Sequence, residues 1–159
     1  PMWAGPESGV SRTVARDSDA EVRHEANDAL GGLEDRRTMD VLVAALKDPV
    51  ADVRVQAAEA IQNLPEIRTA PAALIAALGD ADHDVKETVA NALGDIGDKA
   101  AVPALKQALA DPNAAVRREV AEALSDIGGA EAITILMGLL KDQDPEIRRI
   151  AAEALGDRE

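Results

Sequence analysis

The chain has few side chains that could form a catalytic or metal-binding site. It contains two histidines, His24 and His83, and no cysteine. His83 stands between Asp82 and Asp84, and an imidazole with two carboxylates can hold a metal ion. Such a tripeptide is more often an ordinary exposed loop, so the sequence predicts no metal site there. Without cysteine, the chain can form neither disulfides nor thiolate metal sites.

Motifs for nucleophilic catalysis and phosphate binding are also missing. The four serines lie in the N-terminal segment, in turns or at helix ends, and no histidine is placed to activate them. The segment 94–101, GDIGDKAA, lacks the Lys-Ser/Thr ending of a P-loop. The sequence therefore predicts that the protein is not an enzyme, with no catalytic residue, no cofactor-binding residue and no cofactor.

The overall charge argues against nucleic acids as partners. The chain has 30 acidic and 17 basic residues and a formal net charge of −13, whereas nucleic-acid binding relies on Lys and Arg to neutralise phosphates. Anionic membrane surfaces are disfavoured for the same reason, and no apolar run approaches the roughly 18 residues of a membrane span. A protein partner with basic groups is compatible with this charge. The compartment stays unknown. The lack of a visible signal peptide favours the cytoplasm, and a fragment of a larger protein is also compatible with the sequence.

The segments that carry these residues repeat along the chain. Each begins with Asp and runs into an Ala- and Leu-rich stretch, and the starts are 31, 32, 31 and 31 residues apart. A fixed period of this length is typical of a solenoid, in which stacked units share one continuous core. The segments start at Asp17, Asp48, Asp80, Asp111 and Asp142.

Each repeat reads as two amphipathic helices, A and B. In the fourth repeat, helix A covers 98–110, and Asp-Pro-Asn at 111–113 interrupts it. Helix B then carries apolar residues at helical spacing, and Gly128-Gly129 ends the unit. The sequence therefore predicts an all-α fold, an α-solenoid of about five helical hairpins. The stripe of helix B holds Val22, Ala26 and Leu30, then Val53, Ala57 and Ile61, then Val85, Val89 and Leu93, then Val116, Val120 and Leu124, and finally Ile147, Ala151 and Leu155.

The repeats also define the domain organisation. Residues 1–16 are expected to form an irregular, partly disordered lead-in, because Pro, Gly and Ser interrupt them. Residues 17–159 are expected to form one repeat domain. Its repeats lie near 17–33, 34–64, 65–97, 98–128 and 129–156.

A polar column accompanies the core. Each opening Asp is followed six residues later by Arg or Lys, as in Asp111 and Arg117. The acid can cap helix B, and the cation can reach the turn carboxylate of its own or the adjacent repeat. We therefore expect a ladder of half-buried hydrogen bonds that fixes the stacking of the repeats.

The pattern Asp-x-x-x-x-Val-Arg-x-x-Ala-Ala-x-Ala-Leu-Gly resembles the short HEAT-like repeats named after phycobiliprotein (PBS) lyases. The resemblance covers roughly residues 17–156 and implies an α-α superhelix. It implies function less specifically, because such repeats serve as binding scaffolds in many unrelated proteins.

Two enzymatic activities come with this resemblance. His24-Glu25 is similar to the His-Glu dyads with which deoxyhypusine hydroxylase, a HEAT-like enzyme, holds a di-iron centre. That centre needs several dyads, and no later repeat carries one. A phycobilin lyase implies a groove lined by aromatic and basic residues, whereas this chain has one aromatic residue, Trp3.

Helix B offers the surface on which a partner could bind. Counted from the Val or Ile that opens its stripe, offsets +2, +3 and +6 are expected to point away from helix A, toward the concave side of HEAT-like arrays. Offsets +2 and +3 vary while their neighbours repeat, as expected of a tailored binding face, although neutral drift would look the same. Val55 and Ile150, apolar at these offsets, are the expected contact points. The predicted partner-binding residues are Glu25, Asp28, Val55, Gln56, Glu59, Glu87, Asn91, Arg118, Glu122, Arg149, Ile150 and Glu153.

The favoured function is a non-enzymatic protein–protein interaction scaffold that binds its partner on the concave helix-B face. The alternatives are a chromophore-handling protein of the HEAT-like lyase type, an enzyme accessory subunit and a structural spacer. Helix A of the last repeat, AEAITILMGLLK, is the most apolar helix, and no polar terminal helix follows it. Self-association through this uncapped C-terminal end is a further expectation.

Overall fold

The computed structural model describes residues 36–157, which form eight α-helices and no strand. The chain divides into two compact units between Ile67 and Arg68. The predicted all-α solenoid is confirmed for the described residues. The predicted lead-in at 1–16 and the first repeat at 17–33 lie outside them. No described helix has the length and apolar character needed to cross a bilayer.

The first unit contributes one described hairpin, α1 (Arg36–Ala45) and α2 (Ala51–Gln62). In the second unit, α3 (Ala72–Ala76) continues as a 3-10 turn (Ala77–Gly79) and is followed by α4 (His83–Ile96). A 3-10 turn (Lys99–Ala101) then leads into α5 (Val102–Ala108), and α6 (Ala114–Ile127), α7 (Ala130–Leu139) and α8 (Pro145–Gly156) follow. The odd-numbered helices are helix A of their repeats, and the even-numbered helices are helix B.

The core of the second unit lies between the A and B helices. Neighbouring B helices α4, α6 and α8 pack side by side, and each A helix packs on the B helix of its own repeat. The predicted stripe of helix B is buried, with Val85, Val89 and Leu93 in α4 fully covered and their counterparts in α6 covered equally. Burial of such aliphatic side chains, about 1.5–3 kcal/mol each, is the main force that holds the hairpins together.

Small residues set the distance between α4 and α6. A Cβ atom placed on Gly94 would lie 2.9 Å from the Cα atom of Ala123 and 3.1 Å from Oδ2 of Asp126. The two helices could therefore not approach this closely with a larger residue at position 94. This contact brings the exposed sides of α4 and α6 next to each other.

In the second unit, each turn between helices A and B contains two consecutive side-chain hydrogen bonds. Oδ1 of the opening aspartate accepts the backbone N–H two residues later, as in Asp111 to Asn113 at 2.8 Å. The second residue then caps helix B, and Oδ1 of Asn113 accepts N–H groups of Ala115 and Val116 at 2.8 and 3.2 Å. The prediction that the opening acid caps helix B was therefore wrong by two residues, because that acid is occupied within the turn.

The cations that follow six residues later bind mainly their own turn. Arg54, Arg117 and Arg148 donate to the backbone carbonyl of the opening aspartate of their own repeat, at 2.7, 2.8 and 2.7 Å. Lys86 instead reaches Oδ2 of Asp111 in the next repeat, at 2.6 Å. The expected ladder of hydrogen bonds to the turn carboxylates is therefore not found as predicted. Among the described cations of this column, the arginines stiffen single turns, and Lys86 links two repeats.

Candidate partner-binding surface

The exposed sides of α4, α6 and α8 form one surface, which we call the B face. It consists of the residues at offsets +2, +6 and +10 from the first core residue of each helix, a spacing of four that keeps them on one side of a helix. Because the three helices pack side by side, equivalent residues form rows across them. The rows are Glu87, Arg118 and Arg149, then Asn91, Glu122 and Glu153, then Asp95, Asp126 and Asp157.

The middle row contains two carboxylates that the sequence singled out. Glu122 and Glu153 are exposed, as is Asn91. The pKa of Glu122 is raised, first by partial burial and then by the negative charges of Asp126, Glu119 and Glu153, while Arg149 acts in the opposite direction. The ionised form of Glu122 therefore lacks a full complement of positive charge around it.

The third row was missed in the sequence analysis. Asp126 has a raised pKa, because burial and the charge of Asp95 both oppose its ionisation. Asp95, Asp126 and Asp157 occur at the same offset in three consecutive repeats. That recurrence is a signal that could have identified the row, although it falls at the end of helix B, next to the glycines that close the repeat.

The two arginines of the first row already have partners. Nε of Arg118 donates to Oδ2 of Asp144 at 2.8 Å, and Asp144 is only 8 % exposed and caps α8 through Glu146 N–H. The hydrogen bond from Arg118 holds the pKa of Asp144 below its usual range. Arg118, which was predicted to contact a partner, thus links two repeats through an ion pair.

Arg149 is held within its own helix. It pairs with Glu146 one turn earlier and, through Nη1, with Glu153 one turn later at 2.7 Å. Both carboxylates raise the pKa of Arg149 above its usual range. A partner that approaches Glu153 therefore competes with an existing ion pair.

The prediction that offset +3 is exposed was wrong for Ile150, which is only 4 % exposed. Ile147, Ile150, Ala151 and Ala154 are all buried, since positions i, i+3, i+4 and i+7 share one side of a helix. Gln56, at the same offset in α2, is half-buried. Ile150 therefore belongs to the core and cannot be a primary contact.

Other predicted partner-binding residues lie on α2 or outside the described part of the chain. In the first unit, Val55 and Glu59 are half-buried on α2. Glu25 and Asp28 lie outside the described residues. Within the part of the chain that the structure describes, the predicted residues that remain exposed on the second unit are Asn91, Arg118, Glu122, Arg149 and Glu153.

The segment around His83 differs from the sequence prediction. His83 is the first residue of α4 rather than part of a loop, and Glu87 follows one helical turn later. Donor atoms of His83, Asp84 and Glu87 lie within 4.8 Å of one another. Residues 82–84 were predicted to be a loop, and Glu87 was predicted to contact a partner rather than to lie beside His83, although the two are four residues apart.

Comparison with known proteins agrees with this geometry. The family model described as HEAT repeats matches residues 12–73 and 71–156. No curated protein matches the sequence. The predicted resemblance to the short HEAT-like repeats of phycobiliprotein lyases is confirmed.

Several solved structures are similar to the chain. The complex of CpcE and CpcF of phycocyanin lyase from Nostoc sp. PCC7120 is 28 % identical with a TM-score of 0.76, and the match covers 98 % of this chain and 66 % of that one. A designed armadillo repeat protein in complex with the peptide (KR)4 is 19 % identical with a TM-score of 0.66, over 94 % and 80 % of the two chains. Human deoxyhypusine hydroxylase in complex with glycerol is 21 % identical with a TM-score of 0.51, over 98 % and 86 %. The last two likenesses concern the fold alone.

Proposed function

We propose that this chain, which belongs to the HEAT-repeat family, is a non-enzymatic scaffold that binds a partner protein through basic groups of that partner on the B face. Repeat arrays of this kind present an extended surface rather than a single pocket, and their function depends on the side chains along that surface. The question is therefore which chemistry the B face of this chain can recognise.

The proposal rests on a set of carboxylates on the B face. The surroundings of these carboxylates oppose their ionisation. Burial and neighbouring acids raise the pKa values of both Glu122 and Asp126. A cationic side chain placed among them would favour their ionised forms and would gain attraction from several charges at once. Glu122 and Asp126 lie one turn apart on α6, and Asp95 and Glu153 lie on the adjacent helices about 8–10 Å away. This distance is close to the Debye length of ~8 Å at physiological salt, so their fields add.

One solved structure of similar fold contains a basic ligand. The designed armadillo repeat protein was solved with a peptide of alternating Lys and Arg, so a related helical-repeat fold is compatible with a basic peptide as ligand. The fold likeness does not transfer individual contacts. The proposal for this chain rests on its own acidic residues.

A binding experiment with a basic peptide tests the proposal. A labelled (KR)4 peptide is titrated against the wild type, against Glu122→Gln/Asp126→Asn, and against the control Asp52→Asn/Glu131→Gln. The control removes the same two charges from exposed positions outside the B face. We expect the B-face variant to weaken binding about threefold to tenfold at low salt, since exposed pairs contribute roughly 0.2–1 kcal/mol each, and the control to change it less than twofold. Equal effects of the two variants would mean that only total charge matters and would remove the B face from the proposal.

A second candidate function follows from the lyase likeness. The chain is 28 % identical to a phycocyanin lyase structure over 98 % of its own length, which favours a role as a chromophore-handling protein or an accessory subunit of an enzyme. Mixing the purified protein with an open-chain tetrapyrrole and recording visible absorbance separates the two candidates. A saturable spectral shift favours the lyase-type role, and an unchanged spectrum favours the scaffold.

We also propose a weak self-association through the end of α7. Met137 and Leu140 are 57 % and 42 % exposed, whereas Leu78, at the position of Leu140 two repeats earlier, is buried. One repeat earlier, Leu109 at the position of Leu140 is half-buried, and Lys106 at the position of Met137 is exposed. The partner we assign here is a second copy of the chain, and the net charge of −13 must weaken such a contact at low salt.

A further inference from the structure

The first turn of α4 carries three different metal-ligand groups on one side of the helix. His83 is the first residue of the helix, Asp84 is the second, and Glu87 lies four residues after His83. One donor atom from each lies within 4.8 Å of the other two, and Nε2 of His83 is 3.5 Å from Oδ1 of Asp84. An ion with bonds of about 2.0–2.2 Å holds its ligand atoms roughly 3.3–3.6 Å apart in a tetrahedron. The exposed side chains can close the remaining ~1 Å by small rotamer adjustments.

This combination is particular to one repeat among those described. The three equivalent positions are Ala51, Asp52 and Val55 in α2, Ala114, Ala115 and Arg118 in α6, and Pro145, Glu146 and Arg149 in α8. The A–B turn recurs in every described repeat. Its presence therefore does not explain why His83, Asp84 and Glu87 occur together in α4. In α6 and α8 an arginine stands where α4 has Glu87, so those positions would repel a metal ion.

The nearby cations of the protein are engaged elsewhere. Lys86 is bound to Asp111 at 2.6 Å, and Arg118 is bound to Asp144 at 2.8 Å. No Lys or Arg among the described residues pairs with Asp84 or Glu87. Among the described residues, Asp84 and Glu87 therefore have no Lys or Arg that would compete with an incoming cation.

We propose that His83, Asp84 and Glu87 bind one divalent metal ion of the zinc class, with one imidazole nitrogen and two carboxylate oxygens as protein ligands. Imidazole suits Zn²⁺, Ni²⁺ and Cu²⁺, whereas Ca²⁺ and Mg²⁺ prefer ligand sets made only of oxygen. Three ligands leave a coordination position of Zn²⁺ open for water. The site shares Glu87 with the B face but does not depend on the partner proposed above.

Titration of Zn²⁺ alone into the untagged, metal-free protein tests this site. Binding is measured by isothermal titration calorimetry or by competition with a chromophoric chelator. We expect one ion per chain at this site, and we expect His83→Gln and Glu87→Gln each to weaken binding at least about tenfold, as loss of a metal-site residue typically does. The control is Asp52→Asn, which removes a carboxylate from the second position of α2, the position that Asp84 holds in α4. It should bind Zn²⁺ as the wild type does.

His24 is the other histidine of the chain, so His24→Gln is measured in parallel and should leave the affinity unchanged. Far-UV circular dichroism of each variant shows whether it is folded. Wild-type affinity in His83→Gln would overturn the assignment. Equal losses in His83→Gln and Asp52→Asn would mean that the acidic chain only concentrates ions around itself, and would overturn it as well.

Discussion

Asn113 and Val50 occupy the same position, directly before helix B, but only Asn113 caps its helix. Their backbones are similar, with φ and ψ of −83° and 119° at Asn113 and −94° and 124° at Val50. We expect Asn113→Ala to lower the free energy of unfolding by about 1 kcal/mol, because two helix N–H groups lose their acceptor. Val50→Asn should raise it by up to about 1 kcal/mol, since the backbone already has the geometry of a capped helix.

Urea denaturation of the two variants and the wild type measures both changes. The pair serves as its own control, since the cap is removed in one repeat and added in another. If Val50→Asn is less stable than the wild type, the apolar contacts of half-buried Val50 outweigh a new cap.

At the level of single residues, the sequence predicted the core much better than the surface. The stripe of helix B was correct because a spacing of four residues is set by helix geometry alone. Ile150 was misplaced because offset +3 was taken as exposed, although i+3 lies on the buried side. The partners of Lys86 and Arg117 could not be predicted, because both cations follow the opening aspartate by the same spacing and only the packed structure separates them.

Gly94 and Gly138 illustrate what determines the contacts between whole helices. A Cβ on Gly94 would meet the backbone of Ala123 at 2.9 Å, whereas a Cβ on Gly138 would have no atom within 4 Å. We expect Gly94→Ala to destabilise the second unit, by about 1–3 kcal/mol, because α4 and α6 must move apart. Gly138→Ala, in the exposed last turn of α7, should instead stabilise by up to about 1 kcal/mol through helix propensity alone.

Thermal or urea unfolding of both variants checks this contrast. Equal stabilisation by the two substitutions would show that the contact between α4 and α6 tolerates a methyl group. The B face would then also be less fixed in its geometry than the close packing at Gly94 implies.

At the level of elements, the 31-residue period predicted helical hairpins, and the all-α fold class is confirmed for the described residues. Every described hairpin has its A and B helices in the expected order. The capping residue was placed two positions too early because both residues of the Asp-x-Asp or Asp-x-Asn pair are good caps. Only the structure shows that the first of them is used inside the turn. The start of α4 at His83 was missed for the same reason, and the possible ligand Glu87 was missed with it.

For the whole molecule, the acidic groups make stability depend on pH in two opposite ways. Glu122 and Asp126 have raised pKa values, so the folded protein binds protons more readily there, and stability rises as the pH falls through these values. Asp111 has a lowered pKa, chiefly because of its hydrogen bond from Lys86. Its contribution is present above the ordinary aspartate pKa of about 4 and is lost as the pH falls through the lower value.

We therefore expect maximal stability in mildly acidic solution rather than at neutral pH. Glu122→Gln/Asp126→Asn should be more stable than the wild type at neutral pH and should flatten the rise toward acid, which urea unfolding across a pH series measures. A wild-type stability that falls steadily from neutral pH downward would contradict the assigned directions.

Self-association is also a property of the whole molecule. Met137→Lys/Leu140→Lys introduces charge at the two most exposed large apolar side chains among the described residues. If the end of α7 contacts a second copy, the wild type should show a concentration-dependent increase in sedimentation coefficient that high salt strengthens, because salt screens the repulsion between acidic chains. The double variant should stay monomeric. A wild type that remains monomeric at high salt would exclude the contact.

Each A–B turn is closed by residues of its own repeat, and this affects how such a chain can gain or lose repeats. Arg117 donates to the carbonyl of Asp111, and Arg148 donates to that of Asp142, so the backbone of each turn is closed by an arginine of its own repeat. A hairpin of this kind can form while the rest of the chain is still being synthesised. A segment of 31 residues can also be duplicated or deleted in the gene without disturbing the remaining turns. The junctions bridged by Lys86 and Asp111 and by Arg118 and Asp144 are different, because exchange of a hairpin there would separate two residues that depend on each other.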